Sequence, residues 1–231
     1  DALIRFERLG NEKQQAYAAL NLGAAYLYQG DFDGAEAQLM KCLALADRYH
    51  DRLTLLRAQW HRAELQMRRS RWDEAGEMLV QMEALANTLD DRGMVVWVAA
   101  ARAEVTLAEG RPVDAEVFAR RAVELAEQLD SDPDKAIGLR VLGRVLAHRQ
   151  DFVRAHELFA ASLACLGDFD PYEVARTQVQ WGLALCAGGD GAAGRAKLSE
   201  AQAVFARLGA GHDLAQVSVA VDGCVDKGGA E

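Results

Sequence analysis

Gly30-Asp31-Phe32-Asp33-Gly34-Ala35 is a phrase that the chain repeats. It returns as Ser70-Arg71-Trp72-Asp73-Glu74-Ala75, then as Gly110-Arg111-Pro112-Val113-Asp114-Ala115. Gln150-Asp151-Phe152-Val153-Arg154-Ala155 follows, and Gly189-Asp190-Gly191-Ala192-Ala193-Gly194 closes the series. The last residues of the phrases, Ala35, Ala75, Ala115 and Ala155, lie 40 apart, and Gly194 comes 39 later. Each phrase is a helix-breaking turn followed by a small residue, so the chain is built on a repeat.

A second small residue stands 12 positions before each of these: Gly23, Ala63, Ala103, Gly143 and Gly182. Small side chains at fixed places on two helices let their backbones approach closely. Apolar residues at helical spacing surround both, as with Leu22, Tyr26, Leu39 and Leu43, or Leu142, Leu146, Phe159 and Leu163. Acidic residues recur between the pairs at Asp51, Asp91, Asp132 and Asp170. Asp132-Pro133 and Asp170-Pro171 read as helix starts, with a capping carboxylate and proline in the first turn. The predicted unit is helix, tight turn, helix, loop. Ile and Thr together occur only at Ile4, Ile137, Thr54, Thr88, Thr106 and Thr177, while Ala, Leu, Glu, Arg and Gln crowd every block. The fold class is all-α.

Asn21-Leu22-Gly23-Ala24-Ala25-Tyr26 followed by Gln29-Gly30-Asp31-Phe32-Asp33-Gly34-Ala35 resembles the tetratricopeptide repeat signature. That signature has Leu-Gly and then Tyr on the first helix, and Gly-Asp-Tyr with a later Ala at the turn. The fourth unit (Leu142-Gly143, Asp151-Phe152, Ala155, Phe159) is nearly as similar. Arg62 and Arg102 replace leucine in units two and three, and Gly191 and Gly194 depart from the pattern in the fifth. The resemblance implies a right-handed α-solenoid of about five antiparallel helix pairs. A 40-residue period exceeds the family's usual length of about 34 and implies helices of about 18 residues. Long repeats of this kind, and the duplicated Arg62-Ala63-Glu64 and Arg102-Ala103-Glu104, are similar to the sensor solenoids of bacterial signal-transducing and LuxR-type transcriptional regulators. The repeat tails of some bacterial cyclases and kinases are similar too.

The expected divisions are 1–10 as a remnant second helix of a preceding repeat, then repeats at 11–50, 51–90, 91–130, 131–169 and 170–211. A capping helix and flexible tail occupy 212–231. Ala2 to Gly10 matches Ala201 to Gly209 at its Ala, Phe, Arg, Leu and Gly positions, hence the remnant. The absence of an initiating Met points to a piece of a longer protein.

The first helix of each pair is expected to line a concave groove. Offsets −6, −3, +1, +4 and +5 from the small anchor define its face. The stripe holds Tyr17, Leu20, Ala24, Leu27 and Tyr28, then Arg57, Trp60, Glu64, Met67 and Arg68. Trp97, Ala100, Glu104, Leu107 and Ala108 follow, then Ile137, Arg140, Arg144, Ala147 and His148. Arg176, Val179, Leu183, Cys186 and Ala187 complete it. An aromatic first half and a basic second half suit a peptide with apolar anchors and an acidic stretch. Trp60 and Trp97 are the candidate anchors, with packing between neighbouring units as the plainer reading. Arg140, Arg144, His148 and Arg176 are the candidate carboxylate or phosphate ligands, against a plainer ladder in which Glu104 pairs Arg144. Trp72 and Trp181 read as structural. Chaperone-binding members of the family carry a carboxylate clamp, but its asparagine positions here hold Ala24, Glu64 and Glu104.

A net charge of −9 argues against direct nucleic-acid binding. The longest apolar run, Met94 to Ala101, is too short for a membrane span. Cys42, Cys165, Cys186 and Cys224 lack metal or redox spacing, so a reduced, cytoplasmic setting is the default and Cys42 is a small buried hydrophobe. No metal, cofactor or catalytic constellation is expected. His50, His61, His148, His156 and His212 have no ligand partner at helical spacing, and no phosphate loop or nucleophile elbow occurs. The leading reading is a non-catalytic scaffold for a protein or peptide ligand. A sensing segment of a larger regulator is the alternative, and a third is self-association through solenoid ends, where Phe6 and Leu9 are under-covered.

Overall fold

The computed structural model describes residues 12–167 and 170–224. Its described residues form α-helices joined by tight turns, without strands. In chain order these are α1 (Glu12–Gln29), α2 (Phe32–Arg48), α3 (Arg52–Arg68), α4 (Trp72–Thr88), α5 (Arg92–Ala108) and α6 (Pro112–Gln128). There follow α7 (Asp132–His148), α8 (Phe152–Leu166), α9 (Pro171–Gly188), α10 (Gly191–Leu208) and α11 (Gly211–Gly223). The remnant helix expected at 1–10, with Phe6 and Leu9, and the tail beyond Cys224 lie outside the described residues.

The turn phrases end and restart helices in a fixed way. The Asp31 carboxylate accepts from Gly34 N at 3.0 Å, Asp151 from Arg154 N at 3.4 Å and Asp190 from Ala193 N at 3.1 Å. These N-caps satisfy amides that the first turn leaves free. Asp51 caps α3 in the same manner, and Asp170 accepts from both Tyr172 N and Glu173 N. Arg71 and Arg111 stand at the equivalent positions of α4 and α6 and provide no side-chain cap. Asp132 differs from expectation: it lies inside α7, whose N-cap is Ser131. Before each restart one residue takes the left-handed conformation: Gly30, His50, Ser70, Asp90, Gly110, Asp130 and Gln150 in regular succession. Five of those seven are not glycine, so the turns hold them there against their own preference.

The small residues sit where paired helices cross. Ala35, Ala75, Ala115 and Ala155 are wholly buried, as are Ala63 and Ala103, and Gly23, Gly143 and Gly182 lie in the interior. A Cβ at Gly143 would stand 2.8 Å from Cε1 of the buried Phe159 ring. One at Gly182 would meet Leu198 Cγ at 2.8 Å and the Gly194 carbonyl at 2.9 Å. This close approach lets one large residue of the second helix fill four of the crossings, Leu39, Leu79, Phe159 or Leu198, while Ala119 stands at the third. Each of the four large residues contributes about 1.5–3 kcal/mol by burial.

The chain divides into two compact units, Asp1–Asp91 and Arg92–Glu231. In the first, α1 to α4 form two antiparallel pairs around Ala16, Ala19, Leu39, Cys42 and Ala58, with a smaller cluster of Leu27, Ala35 and Leu65. In the second, α5 to α10 form three pairs around a core that includes Val96, Ala103, Val141, Val145 and Phe159. A further cluster around Leu198, Phe205 and Val217 is closed by α11. Each unit is α-solenoid in build: consecutive helices pack on one another, and first helices also touch the first helix of the next pair within their unit.

Candidate functional site

The first helices of each unit carry most of the expected stripe, but packing hides part of it. Leu20, Leu27, Ala100, Leu107 and Arg140 are buried. The reason is geometric: neighbouring first helices lie against each other along offsets −3 and +4, which leaves +1 and +5 at the open face.

In the first unit, Arg57 is exposed, while Tyr17, Tyr28, Trp60, Glu64 and Arg68 are half-buried. Glu64 sits between two partners on its own helix. Arg68 Nη2 donates to its Oε1 at 3.4 Å, and His61 Nδ1 lies 3.5 Å from Oε2. The Arg68 guanidinium also lies 5.6 Å from the centre of the Tyr28 ring, a cation–π contact between α3 and α1. Tyr28, Glu64 and Arg68 are thus engaged with one another.

In the second unit the basic residues separate into two groups. Arg140 is only 3% exposed and its guanidinium is bonded to Glu173 of α9, which also accepts from Arg176 at 3.0 Å. Burial pushes the Glu173 carboxyl up, but the charges and hydrogen bonds of Arg140 and Arg176 outweigh that and hold it at about 2. This corrects the expectation for Arg140. It does not line an open groove, because a buried guanidinium needs a fixed counter-charge and Glu173 supplies one. Arg176 belongs to the same cluster and lies 6.0 Å from the Tyr172 ring centre.

Arg144 and His148 form the second group. Arg144 is half-buried at the α7 surface, with Glu104 Oε2 3.8 Å from Nη1, the ladder contact that was the plainer reading. His148 is exposed at the end of α7. Trp97 packs against the core, and its Nε1 donates to Asp134 Oδ1 at 2.6 Å, which ties α5 to α7. Its indole joins two neighbouring repeats, again the plainer reading. Cys186 leaves the stripe altogether, since it packs toward Leu198 and Phe205 and is joined to Cys224.

Arg144 and His148 border a concavity of about 390 Å³ built on α5, α7 and α9. Leu107, Ala147, Leu183 and Ala184 supply its aliphatic surface, with Ala108 and Ala187 beside them. Gln180 adds an amide. The offset rule missed Gln180 and Ala184, which stand two positions before and after the Gly182 anchor. Their signal was Leu183, whose neighbours at helical spacing include Gln180. Leu183 is a large apolar side chain left 41% exposed. The arrangement offers donors from a guanidinium, an imidazole and an amide above an aliphatic floor, which suits a carboxylate next to an apolar group.

Trp181 has its structural role, stacking on Phe159 with ring centres 6.4 Å apart while Lys197 Nζ lies 5.4 Å from its ring centre. Among the described residues no group of three or more His, Cys, Asp or Glu could hold a metal ion, and no helix is long and apolar enough to cross a membrane.

No family model and no curated protein sequence matches the chain. Solved structures do. One is BtubC (BKLC) from P. vanneervenii, with a TM-score of 0.63 and 21% identity over 90% of this chain and 88% of that one. A Rap protein complexed with competence and sporulation factor has a TM-score of 0.65 at 11% identity, covering 91% of this chain and 63% of its own. A signal-transduction ATPase with a tetratricopeptide repeat sensor, from Pyrococcus horikoshii, has a TM-score of 0.61 at 12% identity over 92% of this chain. The chain spans 37% of that protein's length. These likenesses establish the fold as an all-α solenoid of the tetratricopeptide-repeat type.

Proposed function

We propose that the protein is a non-catalytic, cytoplasmic scaffold that binds a protein or peptide on the first helices of its second unit. The observation that carries this reading is the concavity where Arg144, His148 and Gln180 stand over Leu107, Leu183 and Ala184. A peptide placing a carboxylate at Arg144 and an aliphatic side chain at Leu183 would satisfy both kinds of lining. The Rap structure, complexed with competence and sporulation factor, gives one example of this fold in a bound state. Selection from a displayed random-peptide library with the full chain tests the reading. Peptides rich in Asp or Glu beside aliphatic residues should be enriched, and Arg144→Glu should abolish their binding. A library that yields no binder, or binders indifferent to Arg144→Glu and Leu183→Glu, refutes it.

A second reading is a sensing segment of a larger regulator. It is favoured by the match to part of the signal-transduction ATPase, whose repeats are described as a sensor. The two readings share the site and differ in what flanks it, so sequencing the parent gene separates them. Self-association is the third reading, and light scattering across a concentration series addresses it.

A further inference from the structure

Cys186 lies near the end of α9 and Cys224 directly follows α11, 38 residues on. The structure joins their sulfurs in a disulfide, with the Cα atoms 5.6 Å apart, well inside the roughly 4.4–6.8 Å that such a bond spans. Only α10 and α11 lie within the loop it closes. The two pair although the four cysteines lack redox spacing, so the reduced setting taken as the default does not hold for this pair as it stands here.

What the bond holds is a weakly anchored helix. α11 has 13 residues, its N-cap Ala210 offers no side-chain acceptor, and Val217 is its one buried residue. A helix that short is marginal without tertiary support. Polar contacts tie it to α9 and α10. Tyr172 donates to Asp213 at 2.9 Å, Gln202 to Ser218 at 2.9 Å, and Arg195 to the Cys224 carbonyl at 2.6 Å. Beneath it lie Leu198, Ala201 and Phe205, all essentially unexposed.

We propose that Cys186 and Cys224 are a reversible thiol–disulfide latch, operated by a dithiol reductant, that sets whether α11 stays on the apolar face of α10. A reductant thiolate attacks Sγ of Cys186, the less buried of the two residues, since Cys224 is only 6% exposed. A reductant–Cys186 bond forms as the Cys186–Cys224 bond breaks, and the electron pair leaves on the Cys224 sulfur, which takes up a proton. The reductant's second thiol then attacks its own sulfur in the mixed disulfide. It becomes a disulfide and releases Cys186 as a thiol. Two electrons and two protons pass to the protein, and a small-molecule disulfide reverses the step. The other cysteines stay out of the exchange. Burial raises the Cys165 thiol and pushes that of Cys42 up to about 11, so little thiolate is present at either. Within reducing compartments, disulfides are characteristically transient or redox-sensing, which suits a latch better than a permanent staple.

The test uses the full chain, oxidised with glutathione disulfide or reduced with dithiothreitol, without denaturant. Alkylation and peptide mapping should find the 186–224 linkage in the first sample and both thiols in the second. Backbone amides of 211–223 should exchange with deuterium at least tenfold faster after reduction, while those of α5 to α7 do not change. Cys224→Ser should reproduce the reduced pattern. Three results would overturn the latch: both thiols free after oxidation, a linkage that resists dithiothreitol in the native protein, or equal exchange of 211–223 in the two states.

Discussion

The guanidinium of Arg140 on α7 and the carboxylate of Glu173 on α9 are bonded in the interior of the second unit, with side-chain exposures of 4% and 16%. Arg176 braces the same carboxylate from the next turn of α9. The pair therefore joins the first helices of two successive repeats by charge rather than by apolar contact. Removing one partner leaves the other charged and desolvated. Glu173→Ala should destabilise the second unit by about 3–5 kcal/mol in denaturant unfolding at pH 7. Stability unchanged within error would show the pair to be incidental.

The same group sets a pH dependence with a definite sign. Its folded pKa, about 2, is depressed below an unfolded value near ~4.3, so its contribution is fully present above that value. It is lost as pH falls toward 2, on the order of 3 kcal/mol in all. Unfolding free energies measured from pH 6 down to pH 2 should fall through this window. In Glu173→Gln the fall should be shallower, because the titrating carboxylate is gone.

Gly182 tests the helix crossing. A methyl group there would press on the backbone carbonyl of Gly194 as well as on Leu198. Backbone cannot rotate away as a flexible side chain can, so Gly182→Ala should cost about 1–3 kcal/mol. A lowered thermal midpoint, with helical circular dichroism kept below it, is the expected result.

Two turn substitutions should act in the other direction. Gln150 has φ +66° and is exposed, so Gln150→Gly should relieve the left-handed strain and add about 1 kcal/mol. Arg71 stands where Asp31, Asp151 and Asp190 cap their helices, and α4 starts without a side-chain cap. Arg71→Asp should add about 1 kcal/mol by supplying one. Thermal melts of each variant check both.

Cys42 should be inert toward alkylating reagents at pH 8. Its thiol is buried and raised to about 11, which makes it slower than an exposed thiol by on the order of a hundredfold. Mass spectrometry of the labelled native chain gives the answer.

The repeat could be read directly because each crossing requires a small residue in a fixed place, and Gly23 and Gly143 announce it without tertiary information. The site was harder to read. An offset rule treats each first helix as if it faced solvent alone, yet Arg140 is taken by Glu173 of the next repeat, and Ala100 is covered. Which arginine remains open depends on contacts 33 residues away, and no local pattern encodes those. Arg144 and His148 stayed at the surface because offsets +1 and +5 point past the neighbouring helix. The link between Cys186 and Cys224 was equally hidden, since the loop between them is two whole helices.

Where a ligand touches the second unit decides the proposed function. Hydrogen–deuterium exchange of the full chain, with and without a library-selected acidic peptide, tests that most directly. Protection should appear on α5, α7 and α9 around Leu107, Arg144 and Leu183, and should vanish in Arg144→Glu. Protection confined to α6, α8 and α10, or none at saturating peptide, would contradict the account.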